Sequence, residues 1–138
     1  MTKWAQSLIR ISNYEVETLQ KRLADITTRR ATVEMRVAVL DAEREVETEN
    51  ARTCPSSAQL LDAYLGGWKL RRTLAQSDLR DVETEETGAR DALMAAFEEL
   101  KKFEHVAEAT RLSQLAAAQR RDSAAMDEQA IRRAARAS

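Results

Sequence analysis

The feature that most constrains this chain is its lack of places to turn. Its 138 residues contain three glycines and one proline, several times fewer than an ordinary globular chain carries. Turn chemistry gathers at one place only, Thr53-Cys54-Pro55-Ser56-Ser57. Proline disfavours a helical conformation in the residue before it, so a break at Cys54 is expected. Ser56 with Gln59 three residues on has the form of a capping box that would open a new helix. A chain with one bend and strong helix formers on either side (Ala, Leu, Arg, Glu, Gln, Met) can only build long helices.

The apolar pattern states how those helices pair. Before the bend, one seam position holds Ala5, Ser12, Leu19, Ile26, Val33, Leu40 and Glu47. The other holds Ile9, Val16, Leu23, Arg30, Val37, Arg44 and Ala51. After the bend, one seam holds Leu61, Trp68, Ala75, Val82, Ala89, Ala96, Phe103, Thr110 and Ala117. Its companion holds Leu65, Arg72, Leu79, Glu86, Leu93, Leu100, Ala107, Gln114 and Arg121. Steps of three and four sustained over so many turns specify a left-handed coiled coil. The expected fold is therefore all-α: two long helices in an antiparallel coiled-coil hairpin, forming a single domain over residues 1–138. Helix one is expected over about 3–52, with Thr2 as its N-cap, the bend at 53–57, and helix two over about 58–134. Gly66 and Gly67 weaken the second helix, so a kink or frayed turn is expected there.

The two arms are unequal. Folding back at Pro55 sets Leu40 near Trp68 and Lys69, and Ala5 near Phe103. Everything after about Val106 then overhangs, including Leu112, Leu115, Ala116, Met126 and Ile131. From Arg111 onwards this tail carries six arginines against Asp122, Asp127 and Glu128.

Catalysis finds no support. One histidine, His105, and one cysteine, Cys54, cannot assemble a four-ligand zinc site or a nucleophile with its base. Gly66-Gly67 lacks the lysine and spacing of a phosphate loop. The acidic pairs Glu85-Glu86 and Glu98-Glu99 are expected mostly on solvated faces. No catalytic, metal or cofactor-binding residue is assigned. The net charge of −1 argues against nucleic acid as the partner of the whole chain. A lone thiol excludes an internal disulfide. No apolar run approaches the roughly 20 residues that span a bilayer. Met1 to Arg10 lacks a signal-peptide core. A cytoplasmic location without membrane insertion is the expectation.

Several residues carry two readings. Arg30, Arg44, Arg72 and Glu86 intrude into the seam, either to set register or to loosen the coil for a partner. Tyr64 and Trp68 either close the hairpin near its tip or form an aromatic anchor for another protein. Tyr64 falls outside the seam, which favours exposure. Trp4 has the same two readings.

The layout as a whole resembles the FliJ family of bacterial flagellar export. The segment Leu61-Asp-Ala-Tyr64-Leu65-Gly-Gly-Trp68 resembles that family's aromatic-apolar stretch past the bend. Arg120-Arg121-Asp122-Ser-Ala-Ala-Met126-Asp127-Glu128-Gln-Ala130 is similar to its basic run followed by Asp-Glu-x-Ala. Gly66-Gly67 departs from the family's better helix formers. The resemblance implies a stalk and adaptor, similar to the central stalk subunit of rotary ATPases, at the cytoplasmic face of the inner membrane. It implies three partners: the flagellar export ATPase, the cytoplasmic domain of the membrane export gate, and export chaperones. Tyr64, Leu65 and Trp68 would face the gate, and Arg120, Arg121, Asp127 and Glu128 the ATPase. The competing expectation is a structural coiled coil that self-associates through its overhang.

Overall fold

A computed structural model describes residues 3–137. It contains two helices, α1 (Lys3–Thr53) and α2 (Pro55–Ala137), which make an antiparallel coiled-coil hairpin. Thr2, the expected N-cap, lies outside the described residues.

The bend is shorter than the expected 53–57. Cys54 alone is non-helical. Its amide donates to the Asn50 carbonyl at 3.0 Å, and its carbonyl accepts from the Ala58 amide at 3.1 Å. The second bond is the first of α2, which makes Cys54 the N-cap and Pro55 the first helical residue. Proline is well suited there, because the first amide of a helix has no partner to lose and its φ is already helical. Ser56 consequently sits inside the first turn and does not cap it. The amide and hydroxyl of Ser57, and then those of Ser56, hold the Cys54 thiol pKa below its usual value.

The chain packs as two compact units. One comprises residues 17–94 and contains the bend; the other comprises the described parts of 1–16 and 95–138. In the first unit Ile26, Val33 and Leu40 of α1 and Trp68, Ala75, Val82 and Ala89 of α2 are buried. In the second, Ala5, Ser12, Val16, Ala96, Leu100 and Ala107 are buried. All of these stand at the seam positions read from the sequence. Phe103 and Thr110 are half-buried, so packing in the second unit reaches one turn past the expected limit at Val106. From Arg111 on, only Ala117 and Ala118 are even half-buried. Leu112, Leu115, Met126 and Ile131 are exposed, on a stretch that remains helical to Ala137.

α2 runs unbroken through Gly66 and Gly67. Neither has a positive φ, and a Cβ added at either would meet nothing within 4 Å. These glycines are conformationally ordinary and merely weaken the helix. Gly66→Ala and Gly67→Ala should each stabilise the hairpin by about 1 kcal/mol, read as a higher urea midpoint with an unchanged slope. A destabilised variant would mean that the bare backbone is needed for close approach.

Candidate functional site

Two surfaces emerge from the residues upward. The first is the bend-proximal face in the unit of residues 17–94. Trp68 is buried at 6% exposure, where the seam places it. It packs with Leu40 and Ala75, and the partly buried Val37 and Tyr64 cover that cluster. A buried indole must spend its N–H on an acceptor, and the Trp68 Nε1 donates to the Leu40 backbone carbonyl. Two guanidinium groups lie over the ring, Arg44 at 5.0 Å and Arg72 at 5.7 Å from its centroid. The ring's negative face attracts both cations. Thus Arg44, a seam intrusion by sequence, keeps its head exposed and places its charge over the indole.

Of the two readings of this aromatic pair, the geometry realises packing for Trp68. Its ring is not displayed to solvent. Tyr64 and Leu65 are half-buried, and Arg71 lies 5.8 Å from the Tyr64 ring centroid. The expected exposure of Tyr64 is therefore partial, because the neighbouring core cluster draws the ring inward. The side chains still presented around them are Val39 and Val46 on α1 and Leu60, Leu70 and Leu74 on α2, all exposed. Nothing in the seam pattern singles these out. The signal available was apolar residues four positions apart off the seam, as in Leu70 and Leu74.

Charge surrounds the same cluster. Arg72 Nε donates to Asp41 at 2.8 Å, with a longer contact from its Nη2 at 3.5 Å. The Arg72 hydrogen bond holds the Asp41 carboxyl below its ordinary pKa, and the same bond raises that of Arg72. An acid whose pKa falls on folding contributes stability above its unfolded pKa. That contribution disappears as pH drops through the lower, folded value. Asp41→Asn should therefore destabilise the hairpin near neutral pH and make no difference in strong acid. Denaturant titrations of both proteins across this range test it; a pH-independent gap would mean that Asp41 acts by packing. A groove of about 1070 Å³ opens above Trp68, lined by residues that include Asp41, Arg44, Glu49, Lys69 and Arg72. Its walls carry both signs of charge.

The second surface is the exposed end of α2. Arg120, Arg121, Asp127 and Glu128 are all exposed. Glu128 accepts a hydrogen bond from Arg132 Nη2 at 2.8 Å, one turn along the same helix. Met126 and Ile131 are exposed on the same stretch, so this part of α2 presents basic, acidic and apolar side chains together. Arg120, Arg121, Asp127 and Glu128 belong to one unit, and Tyr64, Leu65 and Trp68 to the other.

Among the described residues no cluster of three or more His, Cys, Asp or Glu could hold a metal. His105 is exposed. Glu86 differs from the other paired carboxylates expected at the surface: it is 4% exposed, whereas Glu85, Glu98 and Glu99 are exposed. Among the described residues no helix is long and apolar enough to cross a membrane.

Together these features define a two-helix coiled-coil protein with a buried seam and an exposed charged and apolar stretch at the end of α2. Two curated proteins, both named flagellar FliJ protein, come from two strains of Caulobacter vibrioides, NA1000/CB15N and ATCC 19089/CB 15. Each is 54% identical to this chain over 135 residues, covering 98% of it and 97% of the relative. The chain belongs to the FliJ family. No protein-family model matches it, and no solved structure matches it significantly.

Proposed function

We propose that this chain is a component of the flagellar type III export apparatus, a stalk and adaptor that binds the export ATPase and the membrane export gate and escorts export chaperones. Family membership ties it to the flagellum through the name its relatives carry. The single observation that carries the mechanical reading is the free end of α2. Residues 111–137 stay helical while burying almost nothing. In proteins most helical stability comes from tertiary packing, and this stretch has almost none of its own. A partner that covers Leu112, Leu115, Met126 and Ile131 while pairing Arg120, Arg121, Asp127 and Glu128 supplies that packing. The ring of an export ATPase is the partner that the family suggests.

At the other surface, Tyr64 and Leu65 face the gate's cytoplasmic domain, and Trp68 positions them from beneath. The chain then works at the cytoplasmic face of the inner membrane without inserting into it. Neither nucleic acid nor a cofactor has a part in this reading.

The test uses the full chain and the export ATPase of the same bacterium. Binding and faster ATP hydrolysis are expected. Arg120→Glu with Arg121→Glu should weaken that binding about tenfold or more, the size expected from reversing two interface charges. Wild-type protein that neither binds nor stimulates the enzyme would overturn the reading. Exposed apolar residues on the same stretch also suit a second copy of the chain. Sedimentation separates the two, since self-association gives dimers without any ATPase present.

A further inference from the structure

We infer that a buried charged layer and one row of flanking charges lock the register of the hairpin in the unit of residues 17–94, so that the two helices cannot slide past each other by a heptad. The need for such a lock follows from the seam itself. Val33, Ile26 and Leu40 face α2 at seven-residue intervals, as do Ala75, Val82 and Ala89. A slip of one heptad moves one helix by roughly 10 Å along the other and sets every such apolar residue against another one. Hydrophobic burial is non-directional and distinguishes these registers poorly.

Charges distinguish them well. At the centre of the unit lies Glu86, with its side chain 5% exposed. It accepts from Arg30 Nη1 at 2.9 Å, from Arg90 Nη2 at 3.2 Å and, more distantly, from Thr27 Oγ1 at 3.5 Å. Arg30 turns its Nε to Glu34 at 3.0 Å, so the layer is satisfied across both helices. Slipped one way, Glu86 meets Leu23 and Arg30 meets Leu79. Slipped the other way, they meet Val37 and Leu93. Either slip leaves a carboxylate facing an apolar layer without its cross-helix arginine, which is strongly unfavourable.

The flanking row adds a second discriminator. Arg29 pairs with Glu85 at 2.6 Å, Arg36 with Asp78 at 3.1 Å, and Glu43 with Arg71 at 3.7 Å. Each such pair is exposed and weak by itself. Their arrangement nevertheless fits one register alone. One slip sets Arg36 against Arg71, and the opposite slip sets Glu43 against Asp78. Discrimination by clashes in the wrong alignment is how coiled coils fix register. On the partner reading above, the same lock fixes which α1 side chains stand beside Tyr64 and Leu65. The lock itself stands or falls without any partner.

Spin labels at Thr28 and Thr73, in a Cys54→Ser background, report the axial offset of the two helices in the purified chain. The wild-type sequence should give one distance. Arg30→Glu with Glu86→Arg preserves the pair and should keep that distance. Arg30→Leu with Glu86→Leu should broaden the distribution towards a slipped population. Adding Arg71→Glu removes the Arg36–Arg71 clash, opposes Glu43 in the original register, and should make the slipped distance dominant. If this triple variant fails to fold by circular dichroism, the double variant decides. A single wild-type distance in the folded leucine variants would overturn the inference.

Discussion

Replacing Trp68 with alanine should lower the unfolding free energy of the hairpin by about 3–5 kcal/mol, the range for truncating a buried aromatic. The loss has several parts. The indole fills the space between Leu40 and Ala75, neither of which can expand into the vacancy. The Leu40 carbonyl loses its donor from α2. Arg44 and Arg72 lose the ring that attracts both of their charges. Urea unfolding monitored by helicity measures the effect. Trp68→Phe keeps the ring and drops the N–H, and should recover more than half of the stability. An alanine variant as stable as wild type would show that the ring lies on the hairpin without holding it.

Removing residues 112–138 should have the opposite profile. Among the described residues none beyond Ala107 belongs to the buried core, so the urea midpoint of what remains should stay close to that of the full chain. Partner binding should be lost, because Arg120, Arg121, Asp127 and Glu128 leave together. Stability and binding are separable here because packing and exposure divide the sequence so sharply. A truncated chain that still binds and stimulates the export ATPase would place the contact elsewhere. A truncated chain that unfolds at lower urea would show that the tail packs back on its own unit.

The hairpin was legible because helix pairing writes itself as period. Ala5, Ile26, Ala89 and Ala107 were each placed on the seam from spacing alone, and each is buried. Even the polar intruder Glu86 was found, since it keeps the heptad phase. What spacing does not carry is partnership. Arg30 and Glu86 are 56 residues apart, and only the closed hairpin shows that one answers the other. The bend was legible in position but not in form. Pro55 breaks a helix when it stands inside one and begins a helix when it stands at the first position. The residues near it do not say which. Trp68 and Tyr64 show the same division. Period gave their faces, and the tertiary acceptor at Leu40 settled how deep the indole lies. The Arg120 to Glu128 stretch was legible as exposed and charged, because it lies past the end of the paired seam and packs on nothing in its own unit.

The single-residue link between the helices gives this molecule one chemical address. Cys54 is the sole thiol in the sequence, it is exposed, and the neighbouring Ser57 and Ser56 groups hold its pKa below the usual thiol value, which favours the reactive thiolate. An electrophilic dye or cross-linker added to the native chain therefore marks the bend and nothing else. It does so without engineering, at the residue where α1 gives way to α2.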